Sequence, residues 1–336
     1  MIQRLKISFI LGIYNAERTL KECLYSIVSQ SFPKNNYEII IIDGGSTDST
    51  LSICRDFMKC YPNIYLMHNT RKLSEGKGMS KDMGIKVARG DLVVLLDHDN
   101  ILLGKDWISR MIYPFSNKDI MASQSLLDYT GEDTNFIKYI NALGVEDPFA
   151  IPYSLVSQVV LHPEKFTLIE NNYYVYKLYP NNVLFGGANG CIFRKEVFDK
   201  IGGYTRDVDV FASMAYYEMK VAVPLQPRVY HKTASSLFGF MKKKGIYFYR
   251  FIKKDYKIKK YRWVERRISD KFRFLLLVLS NLSMIPSFII ALRQVSKTGK
   301  LFWLLHPLYV FFITLEYIII SLFKIRNFFY YALRSN

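Results

Sequence analysis

Four short apolar runs in the first hundred residues restrict the fold of this chain more than any other feature. Each run is followed by a polar turn and is typical of a buried strand; the four are Ile7–Ile13, Tyr37–Ile42, Ile64–His68 and Asp91–Leu96. Helices are predicted between them, over residues 17–29, 49–61 and 78–88. This alternation of strand and helix predicts an α/β fold with a mostly parallel sheet.

The motif Asp97-His98-Asp99 directly follows the last of these runs. Leu92–Leu96 is apolar without alternation, which indicates a strand buried on both faces. Ligands of open α/β sheets bind at the carboxyl ends of such strands. Two carboxylates there can hold Mg²⁺ or Mn²⁺ together with a diphosphate. The alternative interpretation is a solvated turn, which is what an Asp-x-Asp taken alone more often forms.

The net charge of +17 is concentrated in one part of the chain of 336 residues. Residues 1–240 have 26 basic and 25 acidic side chains, whereas residues 241–273 have 14 basic and 3 acidic ones. Lysine and tyrosine interleave over residues 242–262, a pattern that also occurs in nucleic-acid binders. Because apolar segments follow immediately, a lipid surface is the simpler partner, and we expect no nucleic acid.

Two apolar segments close the chain. Phe274–Leu292 contains no charged residue in 19 positions, and Phe302–Phe323 contains only Glu316 in 22 positions. Both are long enough to span a bilayer, and the basic block before them is typical of a cytoplasmic juxtamembrane region. A two-pass hairpin, an interfacial or re-entrant pair, and two buried core helices all remain open.

The cysteines and the N-terminus indicate the compartment. The four cysteines are scattered without a CxxC pair, which fits neither a zinc site nor a disulfide framework and suggests reducing surroundings; they are Cys23, Cys54, Cys60 and Cys191. No signal peptide is visible at the N-terminus. We therefore expect a cell-membrane protein whose catalytic domain is cytoplasmic.

Several blocks together resemble the family 2 glycosyltransferases, in order over about residues 5–250. They are Ile10–Glu17, Ser26–Pro33, Glu38–Thr50 with its Asp-Gly-Gly-Ser-Thr-Asp core, Asp97–Asn100 as the family's DxD motif, and Gly186–Arg194 with Ile201–Tyr204 as its acceptor-side block. The resemblance implies a GT-A fold with a nucleotide-binding sheet. It also implies transfer of a sugar, with inversion, from a nucleoside diphosphate sugar, with Mn²⁺ or Mg²⁺ as cofactor.

The resemblance also implies a set of residues that contact the nucleotide. Tyr14 and Glu17 would hold the base at the first turn, and Asp43 would hydrogen-bond it at the end of the second strand. Lys77 lies in a loop that approaches the nucleotide in the family, and Asp82 stands where the family often has Asn. Without the resemblance, Asp43 would be read equally well as a turn or cap residue, and Lys77 as a solvated lysine.

The metal ligands follow from the same resemblance. Asp99 would bind the cation directly, while Asp97 would bind the ribose or assist the metal. His98 would point away, since neighbouring strand residues face opposite sides. His231 stands where related enzymes often have a histidine near the diphosphate or metal, although a lone histidine is more often structural.

The catalytic base is predicted to be Asp207, with Asp209 as the second candidate. An acceptor hydroxyl must lose its proton as it attacks, and a carboxylate within hydrogen-bond reach can take it. The family usually has a Glu-Asp pair here, whereas this chain has Arg206 before Asp207. The alternative role for both carboxylates is stabilisation of a helix N-terminus.

The sequence thus predicts a GT-A domain over residues 1–240, a basic juxtamembrane linker over 241–273, and two hydrophobic membrane helices with a short tail over 274–336. The expected activity is sugar transfer to a lipid-linked or other glycan acceptor at the membrane, in glycan or cell-envelope polysaccharide synthesis. One rival is a polyprenyl-phosphate glycosyl synthase, whose phosphate acceptor needs no strong base. Another is a non-catalytic membrane scaffold that retains the nucleotide-binding fold.

Overall fold

The computed structural model describes residues 6–69, 76–187, 189–232, 237–253 and 268–334. The chain divides into two compact units. The first comprises Met1–Thr130 and Tyr153–Lys232, and the second comprises Gly131–Pro152 and Thr233–Asn336.

The described strands all lie in the first unit. In chain order they are β1 Ile7–Ile13, β2 Tyr37–Asp43, β3 Ile64–His68, β4 Leu92–Leu96, β5 Asn100–Leu102, β6 Ile120–Gln124, β7 Leu126–Asp128, β8 Thr167–Ile169, β9 Tyr173–Lys177, β10 Asn189–Arg194, β11 Lys220–Pro224 and β12 Arg228–His231. The helices are α1 Leu20–Val28, α2 Thr50–Cys60, α3 Ser80–Val87, α4 Trp107–Ile112, α5 Asn135–Leu143, α6 Leu155–Leu161, α7 Glu196–Ile201, α8 Asp207–Tyr216, α9 Leu237–Lys253, α10 Ile268–Ser283, α11 Ile285–Thr298 and α12 Leu305–Arg334.

Within the described residues the main sheet has nine strands in the order β3-β2-β1-β4-β10-β6-β11-β9-β8. The first four strands are parallel, and β11 is parallel to β6. By contrast, β10 runs antiparallel to both β4 and β6. The predicted α/β fold is confirmed. The strands are parallel where strand and helix alternate in sequence, but β8, β9 and β10 add antiparallel pairs, so the nine-stranded sheet is mixed rather than mostly parallel.

The apolar strands form the core of this unit. Every residue of β1 and of β4 is buried, as their uninterrupted apolar runs require when helices cover both sheet faces. Helix α1 packs its buried face against one side of the sheet. Trp107 of α4 is fully buried in the same hydrophobic cluster. Helix α3 packs on β1 and β2 through Gly84, where a Cβ would lie 2.5 Å from Ile10 Cγ2.

A second, three-stranded sheet lies in the order β5-β12-β7. Its central strand is antiparallel to β5 and parallel to β7. The register sets His231 opposite Asn100, one residue after Asp99. This small sheet therefore brings the end of β12 beside the Asp-His-Asp segment.

The second unit is helical among its described residues. Aromatic side chains of α5 are buried there. Tyr139 lies edge-on to Trp303, and its hydroxyl forms a 2.7 Å hydrogen bond with His306 Nδ1. Phe136 packs against Phe240 of α9. Residues 131–152 thus belong with the C-terminal helices, whereas the sequence had suggested a single domain up to residue 240.

The two apolar segments differ in form. Leu301–Phe323 is, among the described residues, the one helical stretch long and apolar enough by itself to cross a membrane, with a mean hydropathy of 1.7. The earlier segment is bent by 67° between Lys271–Ser283 and Ile285–Thr298. The bend falls at Met284, whose φ of 58° separates α10 from α11, and Pro286 lies in the first turn of α11. Counting the bent pair as one span gives at most two spans, on length and composition alone.

Candidate active site

The polar segments selected from the sequence meet at one edge of the main sheet. Strands β1, β2 and β4 are parallel, so their carboxyl ends and the turns that follow share this edge. Strand β10 is antiparallel and begins there, with Asn189 opposite Leu96. The loop that contains Gly186 and Gly187 therefore lies at the edge where Asp97 begins.

Asp99 is paired with His231 at this edge. Asp99 Oδ2 lies 3.3 Å from His231 Nε2, and Asp99 Oδ1 accepts a 3.2 Å hydrogen bond from Asn100 Nδ2. Lys232 N donates to the carbonyl oxygen of Asp99, which fixes the two segments together. His98 is engaged elsewhere, with its Nδ1 at 2.8 Å from Thr19 Oγ1.

Asp97 and Asp207 are joined through a lysine. Lys81 Nζ lies 3.2 Å from Asp97 Oδ1 and 4.0 Å from Asp207 Oδ2. The Lys81 side chain is only 2% exposed, so this ammonium group is enclosed between carboxylates. A buried lysine requires such partners because the charge loses its hydration.

The surroundings of Asp207 orient its carboxylate. Tyr204 donates its hydroxyl to Asp207 Oδ1 at 2.8 Å. On the other side, a Cβ on Gly187 would lie 3.7 Å from Asp207 Oδ2, so the glycine loop passes close to the carboxylate. Gln124, at the end of β6, accepts a 3.0 Å hydrogen bond from Gly187 N and holds that loop.

Asp207 is also the first residue of α8, with Arg206 as the N-cap residue. Asp209 lies in the first turn of the same helix and is 3% exposed. Its Oδ2 accepts a 3.5 Å contact from Thr205 Oγ1. Both carboxylates stabilise the helix N-terminus, and Asp207 Oδ2 also lies 4.0 Å from Lys81 Nζ.

Asp43 ends β2 and is almost fully buried. Its carboxylate accepts hydrogen bonds from Gly45 N at 2.9 Å and from Ser46 N and Oγ. His68 Nδ1 lies 3.5 Å from Asp43 Oδ2. Asp43 thus makes the contacts of a turn residue, which was the alternative interpretation of its sequence position. Its contact with a nucleoside base stays a prediction.

Tyr14 and Glu17 lie in the first turn, which is bonded to the turn after β2. The Tyr14 side chain is exposed. Glu17 Oε2 accepts from Ser49 N at 3.1 Å, and Asn15 Oδ1 accepts from Thr47 N at 2.9 Å. The two turns form one rim, on which Tyr14 is presented to solvent.

Lys77 and Asp82 lie before and within α3. Lys77 is exposed in the loop. Asp82 is buried and accepts from Gly78 N, from Lys86 Nζ and from Tyr204 N. These contacts make Asp82 a tie between α3 and the segment that carries Tyr204, and its contact with a nucleotide stays a prediction.

The environment shifts the pKa values of Asp97 and Asp99 in opposite directions. Loss of hydration raises the pKa of Asp97; Lys81 opposes this, while Asp99 and Asp207 add to it. Burial likewise opposes the charge of Asp99, but the hydrogen bond to His231 and the nearby imidazoles outweigh it. The pKa of Asp99 therefore lies below its ordinary value.

These residues suit a hard divalent cation that shares its coordination with a substrate. Among residues 6–69, 76–187, 189–232, 237–253 and 268–334, no group of three or more His, Cys, Asp or Glu is arranged to hold a metal ion. Asp99 and His231 nevertheless present an oxygen and a nitrogen ligand 3.3 Å apart. Mg²⁺ is usually bound by one or two carboxylates plus substrate phosphates, so the Asp99 carboxylate could serve as one such ligand.

The family model for "Glycosyl transferase family 2" matches residues 8–202, which is more than half of the chain. This chain belongs to glycosyltransferase family 2. The matched region contains the rim turns, Lys81, Asp97, Asp99 and the glycine loop. Asp207, Asp209 and His231 lie beyond it, so their roles depend on geometry.

Relatives of this family 2 chain match it over limited regions. A poly(ribitol-phosphate) β-glucosyltransferase from Bacillus spizizenii is 37% identical over 115 residues, which are 34% of this chain and 18% of that protein. Glycosyltransferase GlyG from Streptococcus pneumoniae serotype 4 is 33% identical over 135 residues, which are 40% of this chain and 43% of GlyG. The chain thus spans less than half the length of either relative.

The fold is similar to that of a mannosyltransferase from Pyrobaculum calidifontis described in complex with GDP-Man and Mn²⁺. The TM-score is 0.57 with 13% sequence identity, over 94% of this chain and 87% of that one. At this identity the likeness concerns the fold alone, and it agrees with the GT-A architecture expected from the sequence motifs.

Sequence reasoning missed Lys81 and Gln124. Lys81 lies on the same face of α3 as Gly84 and Ile85, three and four residues later. A lysine on an otherwise apolar helix face signals a buried ion pair, so this residue could have been found. Gln124 offered no such signal, because its partner Gly187 comes 63 residues later in the chain.

Proposed function

We propose that this family 2 chain transfers a sugar from a nucleoside diphosphate sugar to a glycan or lipid-linked acceptor, with inversion at the anomeric carbon. The observation that carries the proposal is the convergence of Asp99 with His231, and of Asp97 with Asp207 through Lys81, at the carboxyl edge of the sheet. That edge is where α/β sheets bind their ligands.

In this proposal the carboxylate of Asp207 accepts the proton of the acceptor hydroxyl. The acceptor oxygen then forms its bond to the anomeric carbon as the bond to the diphosphate breaks, and the electron pair leaves with the diphosphate. The rim turns around Tyr14 and Glu17 hold the nucleoside, while Asp97 contacts the ribose or supports the metal. Gly187, which lacks a side chain, leaves room for the sugar beside Asp207.

Asp99 and His231 would hold Mn²⁺ or Mg²⁺ in this arrangement, with Asp97 nearby. Such a cation, when bound, neutralises charge on the departing diphosphate as a Lewis acid. Asp99 would supply a carboxylate oxygen to the ion, and His231 would supply a ring nitrogen that lies 3.3 Å from Asp99 Oδ2.

The acceptor is proposed to be a cell-envelope polysaccharide or its lipid-linked precursor. The relative named as a poly(ribitol-phosphate) β-glucosyltransferase supports this class of acceptor. The apolar helices after residue 268 and the basic residues 241–273 support attachment to a membrane. The active domain would then meet its acceptor at the cytoplasmic surface.

The rival activity, transfer to a polyprenyl phosphate, is favoured by Arg206 in the place of the family's usual glutamate. A phosphate acceptor is already ionised and does not need a base. Retained transfer in an Asp207→Asn variant would identify this rival, because only a hydroxyl acceptor depends on proton removal.

The experiment that tests the proposal uses the full-length chain purified in detergent. It is supplied with Mn²⁺, a panel of UDP-, GDP- and dTDP-sugars, and membrane lipids, and the products are analysed by mass spectrometry for an added sugar. Addition of a sugar residue from one donor supports the proposal. Absence of turnover together with failure to bind any nucleoside diphosphate would instead support the non-catalytic scaffold.

A further inference from the structure

Lys81 is the one enclosed lysine that touches two carboxylates of the candidate site in the described part of the chain. Its side chain is 2% exposed, against 59% for Lys86 on the same helix. An ammonium group withdrawn from water in this way loses much of its hydration, which is costly for an ion. Burial at this cost indicates that Lys81 has a specific role at the candidate site.

Lys81 and its two carboxylate partners come from three separate parts of the chain. Lys81 is on α3, Asp97 follows β4, and Asp207 begins α8 more than one hundred residues later. The ammonium nitrogen lies 3.2 Å from Asp97 Oδ1 and 4.0 Å from Asp207 Oδ2. Lys81 thus stands between the carboxylate on the donor side and the carboxylate proposed as base.

Without the ammonium group, two like charges would face each other across the position of Lys81. Asp207 has a second anchor, since Tyr204 donates to its Oδ1 from within the core. This leaves Oδ2 directed toward Lys81 and the Gly187 loop. The lysine thus contacts one oxygen of each carboxylate, while Tyr204 holds the other oxygen of Asp207.

We propose that Lys81 is a positioning residue, which aligns the base Asp207 with the donor held at Asp97. The inference rests on the proposed sugar transfer. Its physical basis is that a displacement reaction requires the attacking oxygen, the anomeric carbon and the leaving group in one line. Lys81 acts through the two carboxylates and takes no proton itself.

The test measures steady-state transfer by the full-length chain for Lys81→Met, Lys81→Gln and Lys81→Arg. The two neutral variants should lower kcat by roughly 100-fold, the loss associated with a misplacement of about 1 Å. The KM for the donor should rise much less, because kcat reports alignment in the reacting complex. Lys81→Arg keeps the charge and should recover about tenfold of the lost kcat.

Lys59→Met is the control. Lys59 also forms an ion pair within a helix, α2, at 2.8 Å from Asp56 Oδ1, and both side chains of this pair are exposed. Its kcat should stay within about twofold of the wild type, as expected for a surface pair. Thermal melting followed by circular dichroism shows which variants are folded. Two neutral variants are made because the test needs only one of them to fold.

The outcomes separate this inference from the proposed function. A wild-type chain that transfers no sugar from any donor overturns both. An active wild type with unchanged kcat in the folded neutral variants overturns only the role of Lys81. The role is also overturned if Lys81→Arg is as inactive as Lys81→Met, because the charge would then be irrelevant.

Discussion

At the scale of single residues, the site depends on pairing rather than on isolated side chains. Asp99 is set against His231 and Asp97 against Lys81, so each acidic residue of the motif has a different basic partner. Burial works against the charge of both carboxylates. At Asp97 burial outweighs the charge of Lys81 and the pKa is raised, whereas at Asp99 the contact with His231 outweighs burial and the pKa is lowered. In the proposed site Asp99 would hold a cation, and Asp97 would take a hydrogen-bonding position.

Asp99→Asn should lower the transfer rate on the order of 100-fold or more, because a lost metal ligand removes several kcal/mol of charge stabilisation. His231→Gln should lower it less, by roughly 10- to 100-fold. Initial rates at increasing Mn²⁺ concentration measure both effects. The control is Asp91→Asn, an exposed aspartate that directly precedes β4 at the opposite edge of the sheet. Equal rates for Asp99→Asn and Asp91→Asn would contradict the assignment.

Asp207→Asn and Asp209→Asn should differ strongly in activity. Removal of a base lowers the rate by about 10²- to 10⁴-fold, which we expect for Asp207 alone. Binding of the nucleoside diphosphate, measured by calorimetry, should stay unchanged in both variants. A larger loss of transfer for Asp209→Asn than for Asp207→Asn would assign the role of base to Asp209.

The sequence predicted the main acidic residues but not how they are connected. Asp97 and Asp99 follow an apolar run, and that pattern indicates a strand end from local information alone. The contact of Lys81 with Asp207 joins residues 126 positions apart, so no local pattern could specify it. Asp43 and Asp82 were chosen as nucleotide contacts from the family resemblance. The structure shows that Asp43 is hydrogen-bonded to the turn after β2 and Asp82 to residues before and within α3.

At the scale of elements, the site edge depends on how closely α3 approaches the sheet. Gly84 faces β1 and β2, and a Cβ there would lie 2.5 Å from Ile10 Cγ2 and 2.8 Å from Ile42 Cδ1. Lys81 lies one turn earlier on the same helix. The missing side chain of Gly84 thus permits the approach that brings Lys81 to its partners.

Gly84→Ala should destabilise the chain by about 1–2 kcal/mol, although alanine normally favours a helix by up to about 1 kcal/mol over glycine. The added methyl group has no space between two buried isoleucines. Thermal unfolding of the detergent-solubilised chain measures the change. Gly131→Ala is the control, since a Cβ there meets nothing within 4 Å. A higher melting temperature for Gly84→Ala than for wild type would contradict the close approach.

Elements formed by local patterns were predicted well, and elements formed by distant pairing were not. The bounds expected for β1 and β3 are those observed, because apolar runs with flanking turns specify them. By contrast, β8 and β9 could not be assigned. β8 has only three residues, and the tyrosine-rich β9 joins the main sheet through β11, more than 40 residues later in the chain. The bend at Met284 was likewise not specified by the uncharged run around it.

At the scale of the whole molecule, the second unit is assembled from two distant parts of the sequence. Helix α5 contributes Phe136 and Tyr139, which pack on aromatic residues of the C-terminal helices. Tyr317 donates its hydroxyl to Asp147 Oδ2 at 2.9 Å. Residues 131–152 therefore need the segment after residue 232 to cover their apolar side chains.

A chain truncated after Lys232 should aggregate, because aromatic side chains that each gain about 1.5–3 kcal/mol from burial would be exposed. Light scattering and the soluble fraction after centrifugation measure the effect. The control ends at Phe323 and keeps Tyr309 and Tyr317, so it should behave as the full chain does in detergent. A monomeric, soluble product of residues 1–232 would show that residues 131–152 fold without the C-terminal helices.

The central claim is that a divalent cation at Asp99 and His231 holds the diphosphate of an activated sugar. The most direct measurement is the transfer rate of the full-length chain after treatment with EDTA and after addition of excess Mn²⁺. We expect transfer to cease in the chelator and to return with Mn²⁺ in the wild type but not in Asp99→Asn. Undiminished turnover in the presence of EDTA would contradict the account.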